Sequence, residues 1–506
     1  MANDLAAAHT PPVSTRNGPV VGYEDPGLKV FKGLRYGAAP TGLARFKPPS
    51  PPGPWKEPLP AVAYGAPAIQ SGLAPGERRT SPGDPPAPDE PASSEDCLFL
   101  NLWTPGLDEA KRPVMVWLHG GGFANGSGGA AMYDGGALAR KGDAVIVTVN
   151  HRLNVFGYLH LGEAFGPDYA SSGMAGMLDL VLALEWVRDN IAAFGGDPAN
   201  VTLFGESGGG WKVSLLMAMP AAKGLFHKAI IQSGPGLRAK PRADAAATAR
   251  VLLQALDVST PEALAAVPAE VLSRTSAALP GDVMRLFAPV LDGAALTRDP
   301  FDPDATPLAA DIPLIIGTNK DESTLFMFTH PRFGAFTEED ALKHAEAAAP
   351  GRGVQLLAAL RRAFPDYSET HLATAAATAG GMWKGSITLA ERKAAQDAGV
   401  WMYLLTWETP VARGRLRSPH AIEIPLVFDN VEVARNFVGR GEDPQRLADQ
   451  MSSAWLAFAR TGDPNVAGLT PWPRYDANRR ATLVFDIESR VIADPYSELR
   501  QIVQAS

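Results

Sequence analysis

Gly205-Glu-Ser-Gly-Gly209 sets a serine between two glycines at the spacing G-x-S-x-G. The apolar, β-prone run Asn200–Phe204 precedes it and a second apolar run, Val213–Met219, follows. Strand, sharp turn and helix are the context in which such a serine serves as a nucleophile. The turn strains the serine backbone, and glycines two residues either side let neighbouring chain pack without a Cβ in the way. The following helix aims its N-terminal amides at the same point. Two other uses of these glycines fail. A phosphate loop needs lysine where Trp211 stands, with Lys212 one residue late. Gly126–Ala131 fits a dinucleotide fingerprint loosely, and no acidic ribose partner follows about 20 residues on.

A serine that attacks a carbonyl leaves a negative oxygen, which needs amide donors already in place; each is worth about 3 kcal/mol. His119-Gly-Gly-Gly-Phe123, directly after the apolar run Pro113–Leu118, supplies them. Consecutive glycines let successive amides enter one small space, so the expected oxyanion donors are Gly121, Gly122 and Gly208.

The base must follow the serine in the chain order serine, acid, histidine. His227 leads into an apolar run and reads as structural, while His344 and His371 fall in Ala-rich helical stretches. His330 lies only eight residues past Glu322, too soon to have crossed another strand. His420, in a loop after the strongest late strand, is the best base. For the acid, Ile312–Gly317 delivers Thr318-Asn-Lys-Asp-Glu322 at a strand C-terminus, where catalytic groups gather in α/β sheets. Asp321 and Glu322 both qualify by spacing.

The elements that must hold these groups alternate short β-rich runs with Ala/Leu-rich segments, the pattern of a mostly parallel sheet flanked by helices. Strands are expected at 98–103, 114–119, 144–149, 201–205, 229–232, 314–317 and 400–407, and helices at 173–194, 387–398 and 446–460. Residues 71–94, rich in proline, read as an irregular surface loop. No repeat or linker divides the chain, so 1–506 is expected to form one domain with long loop and helical insertions.

Composition narrows the partners. A net charge of −8 argues against nucleic acid, which binds through lysine and arginine on phosphates. No apolar run approaches the ~18 residues of a membrane span. The first nine residues lack the basic region of a signal peptide, so a cytoplasmic location is expected; a leader removed beforehand would leave no trace. The single cysteine, Cys97, reads as a buried thiol; it forms no intrachain disulfide and builds no multi-cysteine zinc site.

Longer motifs carry a resemblance. Phe31–Tyr36, Arg45–Pro49, Ser94–Asn101, His119–Phe123, Val149–Gly157, Phe194–Val201, Gly205–Gly209, Asn319–Glu322 and Thr461–Asn465 occur in order along nearly the whole chain. In these the sequence resembles the type-B carboxylesterases, which include bacterial para-nitrobenzyl esterases and cholinesterases. The resemblance implies an α/β-hydrolase fold, a triad of Ser207, Glu322 and His420, a deep gorge and no cofactor. It also implies that Ser233 supports the histidine and that Glu206 is the acidic residue preceding the nucleophile. There are three departures. The family partner of Cys97 is missing from Ala66–Gln70. Gly208 replaces a frequent alanine, with its amide donor intact. Trp211-Lys212 replaces small residues inside the nucleophile helix.

The function expected is hydrolysis of small or medium carboxylic esters through an acyl-enzyme. Amide or carbamate cleavage by the same groups is the alternative, and a non-catalytic binding protein is disfavoured because every catalytic position is filled. The partner is a small-molecule ester, and the sequence does not specify an oligomeric state. Phe123, Trp211 and Lys212 are the expected substrate contacts. Trp211, one helical turn beyond Ser207, should pack beside the turn. Lys212 either pairs with a protein carboxylate or, with Arg238, makes the acyl pocket electropositive and suited to esters of polycarboxylic acids.

Overall fold

The computed structural model describes residues 8–75, 77 and 89–505, so half of the Pro-rich segment 71–94 lies outside the described residues. The chain forms two compact units, one of residues 1–229 and 238–309, the other of 230–237 and 310–506.

The first unit is built on strands β1 (Tyr23–Asp25), β2 (Leu28–Arg35), β3 (Phe99–Thr104), β4 (Arg112–Leu118), β5 (Val145–Val149) and β6 (Gly196–Glu206). They lie in the order β6-β4-β5-β3-β2-β1. β4 runs parallel to both β5 and β6, and the outer pairings from β5 to β1 are antiparallel. Residues of β4 and β5 are buried on both faces, which explains their unbroken Val/Ile/Met/Trp runs rather than an alternating pattern. Helix α1 (Ala175–Asn190) and helix α2 (Gly208–Ala218) pack against this sheet. The helical run 167–194 that contains α1 is long and apolar enough to cross a bilayer, but 72 % of its apolar stretch is buried in the protein, as in a core helix.

An ion pair fixes α1 to the chain leaving β5. Arg152 grips Asp179 with Nε at 2.8 Å and Nη2 at 2.6 Å, and its Nη1 donates to the carbonyls of Arg45 and Lys47. Both side chains are buried. Cys97 is buried as well, and burial pushes its thiol well above the usual range.

The second unit orders β7 (Lys228–Gln232), β8 (Leu314–Asn319), β9 (Val400–Leu405), β10 (Ala481–Phe485) and β11 (Arg490–Ala493) side by side. β8, β9 and β10 are parallel, and β11 closes the edge antiparallel. The short helix α3 (Ser323–Met327) follows β8, and α4 (Lys384–Ala394) and α5 (Glu442–Thr461) flank the sheet. Each expected strand is present within a few residues, and the expected helices at 387–398 and 446–460 appear as α4 and α5. Absent from the sequence reading were β1, β2, β10, β11 and the helices Arg242–Ala255 and Gly353–Ala363, while the Ala-rich stretches around His344 and His371 form the helices Glu338–Ala348 and Glu369–Thr378.

Candidate active site

Ser207 sits where β6 ends and α2 begins, with φ 55° and ψ −121°. A non-glycine residue held there is strained, and only tightly packed surroundings maintain it. The surroundings are backbone. A Cβ at Gly205 would stand 2.6 Å from the Gly209 carbonyl carbon, and one at Gly209 only 1.9 Å from the Leu118 carbonyl oxygen. The glycines on either side of the serine are therefore steric requirements, as their spacing implied.

The chain leaving β4 lies directly on this elbow. Gly121 and Gly122 have φ of +81° and +62°, a region glycine enters without penalty. A Cβ at Gly121 would meet the Asn125 carbonyl oxygen at 2.5 Å. One at Gly208 would meet the Gly122 carbonyl oxygen at 2.2 Å, so this loop approaches α2 more closely than an alanine would permit. Among the described residues, the amides of Gly121 and Gly122 donate no hydrogen bond. The amide of Gly208, first in α2, has no acceptor one turn back within its helix. Three donors thus stand ready in the first unit.

Phe123 is buried, and its ring meets Trp211 edge-on at 5.4 Å between centroids. Trp211 also donates Nε1–H to the Arg238 carbonyl at 3.2 Å. It packs beside the elbow, as its place one turn beyond Ser207 suggested. Glu206 is buried at the end of β6. Lys212 requires a correction. It is fully buried, and its ammonium donates to the His119 carbonyl at 2.9 Å. Arg238 pairs with Asp302 at 2.6 Å, its own side chain 70 % exposed. One cation is sealed inside the protein and the other sits on the surface, so the pair does not form the electropositive acyl pocket.

The second unit joins the remaining groups. His420 Nδ1 lies 2.5 Å from Glu322 Oε2. The other oxygen, Oε1, accepts from Ser233 Oγ at 2.5 Å and from the Asn319 amide at 2.7 Å. With a carboxylate at Nδ1, that nitrogen carries the ring proton and Nε2 is left as the acceptor. Ser233 is reached through a positive-φ turn at the end of β7, and its amide donates to the Gly317 carbonyl of β8. The strands therefore position both the acid and the serine beneath it.

Asp321, the other acid open by spacing, points elsewhere. It accepts from the Tyr367 hydroxyl at 2.7 Å and from the Ser418 amide, and burial raises it to about 6. Thus Asp321 fastens the loop that carries His420, and Glu322 meets the imidazole. His227, read as structural, takes the Val201 amide on Nδ1 at 3.1 Å.

Two residues beside the imidazole escaped the sequence reading. Glu423, three residues after His420, is fully buried and receives the Asn319 side-chain amide at 2.6 Å. Burial first, and the Glu322 charge second, push it up to about 7. Phe326, on α3, lies 4.8 Å from the His420 ring and remains 56 % exposed. The only advance signals were a carboxylate three residues from the base and an aromatic four residues from the acid. Among the described residues no group of three or more His, Cys, Asp or Glu side chains is placed to hold a metal ion.

Residues 9–501 match the family model described as the carboxylesterase family. The chain belongs to the carboxylesterase family. The para-nitrobenzyl esterase of Bacillus subtilis is 36% identical over 504 residues, spanning 97% of each chain. A phenmedipham hydrolase of Pseudarthrobacter oxydans is 32% identical over 512 residues, 96% of each. A solved carboxylesterase of Geobacillus stearothermophilus superposes with a TM-score of 0.83 at 39% identity, covering 97% of this chain and 100% of that one. The fold is accordingly that of the α/β-hydrolases, and this carboxylesterase is a serine hydrolase of esters.

Proposed function

We propose that Ser207 is the nucleophile, His420 the general base, Glu322 the acid that orients it, and Gly121, Gly122 and Gly208 the oxyanion donors, acting on small or medium carboxylic esters. Nε2 of His420 takes the Ser207 proton as Oγ bonds to the ester carbonyl carbon. The carbonyl oxygen gains the negative charge and the three amides receive it. The charge returns, the ester C–O bond breaks, and the alcohol leaves with the proton from His420. Water then enters by the same route: His420 takes its proton as its oxygen attacks the acyl carbon, the bond from that carbon to Ser207 Oγ breaks, and His420 returns the proton to Oγ as the carboxylic acid leaves.

The observation that carries this reading is the strained Ser207 elbow with unspent glycine amides packed on it. The Glu322–His420 contact supports the assignment of base and acid. A fluorophosphonate should modify one residue per chain, located on Ser207 by peptide mapping. Ser207→Ala and His420→Ala should each lower kcat by about 10⁶ while leaving the thermal melt intact, because the two act as a unit. Near-normal hydrolysis of a p-nitrophenyl ester by either variant would refute the assignment.

A further inference from the structure

Lys212 stands out because the mechanism gives it no role, yet it is an ammonium with no exposed surface. Such a group is costly to bury and needs strong compensation. Its compensation lies in the oxyanion loop. Nζ donates to the His119 carbonyl, one residue past the end of β4, where the backbone has left the sheet ladder and turns into Gly120–Gly122. A buried carbonyl at such a departure requires a donor. Around it the loop rests on α2 through backbone alone: the Leu118 oxygen faces Gly209, and the Gly122 oxygen faces Gly208. Lys212, one turn further along α2, therefore holds a segment whose three glycines give it little stiffness of its own.

Resting on the assignment of Gly121, Gly122 and Gly208 as the oxyanion donors, we propose that Lys212 is a positioning residue. Its ammonium anchors the His119 carbonyl to the nucleophile helix and so fixes the distance between the loop amides and Ser207. Around Lys212 the titratable neighbours are few. Glu206, at the end of β6, favours its charge. His119 and His151 stack at 4.9 Å between centroids, and burial together with Lys212 holds both imidazoles well below their ordinary range. Burial brings Lys212 itself down to about 7. Its proton is therefore present below that pH and lost above it, while the two histidines are already neutral and contribute no alkaline limb.

The test compares wild type, Lys212→Met and Lys212→Gln. Met keeps the stem and removes the donor; Gln keeps an uncharged donor. In Lys212→Met, kcat for a p-nitrophenyl ester should fall by about tenfold or more with KM changed less than about threefold, since the loop amides act on charge that develops only in the transition state. Gln should recover part of the loss. Wild-type kcat should decline in part as pH rises past about 7, where the ammonium becomes a neutral amine and keeps only a weaker donor, and this decline should vanish in Lys212→Met. A role in packing alone would lower the melting temperature and leave the pH limb in place. An unchanged kcat with the limb retained in Lys212→Met overturns the proposal. Should that variant not fold, a limb retained in Lys212→Gln, or a flat wild-type profile to pH 9.5, overturns it equally. Fluorophosphonate labelling runs alongside. Failure to label Ser207 in wild type sinks the underlying assignment, whereas labelling with unaltered kinetics in the variants sinks only the clamp.

Discussion

Glu322→Gln separates geometry from charge at the imidazole, because the structure dictates how the new amide must sit. Oε1 accepts two hydrogen bonds, from Ser233 Oγ and the Asn319 amide, while Oε2 faces His420 Nδ1. Only the amide oxygen can replace Oε1, so the NH₂ faces the imidazole. Turning the amide round would leave only a rotated Ser233 hydroxyl as partner, lose the Asn319 bond and set the NH₂ against that buried donor, at about 3 kcal/mol in all. The reversed amide is then populated less than about once in 100 molecules. An NH₂ at Nδ1 makes that nitrogen the acceptor and moves the ring proton to Nε2, where it blocks uptake of the Ser207 proton. The tautomer alone therefore costs about 10² in kcat. Loss of the negative charge that stabilises the imidazolium brings the total to about 10⁴, the scale seen when a triad carboxylate becomes an amide in a serine protease. Steady-state hydrolysis of a p-nitrophenyl ester measures this, with a thermal melt to confirm the fold. Asp321→Asn is the control, since Asp321 holds Tyr367 and Ser418, and its kcat should stay within about fivefold of wild type. A loss below tenfold in Glu322→Gln, or a larger loss in Asp321→Asn, would refute the reasoning.

Gly208→Ala adds a Cβ 2.2 Å from the Gly122 carbonyl oxygen, so the loop must retreat and one donor falls out of line. The expected loss is about 10²-fold in kcat with little change in KM, read from initial rates at saturating ester. Arg152→Met leaves the Asp179 carboxylate buried without its guanidinium, and should lower stability by about 3–5 kcal/mol, measured as a shift of the denaturation midpoint at unchanged slope.

What the sequence determined by itself was local. Gly205, Gly209, Gly121 and Gly122 are legible because a positive φ or a sub-3 Å backbone approach admits no other residue, and those demands act within a few positions of the chain. Strands β4, β5, β8 and β9 were legible because burial on both faces leaves an unbroken apolar signature. Strands β1, β2, β10 and β11 sit at or near the sheet edges, and burial along β1, β2 and β11 is patchy, so no such signature singled them out. Spacing left Asp321 and Glu322 equivalent. Their difference arises from where the turn after β8 points each carboxylate, which depends on residues about a hundred positions away at Ser418 and His420. Lys212 shows the same division. Its charge suggested a carboxylate partner, and Glu206 does favour that charge, but its hydrogen bond goes to the His119 backbone carbonyl, and carbonyls are identical at every position of a sequence. Only tertiary packing decided which one it met.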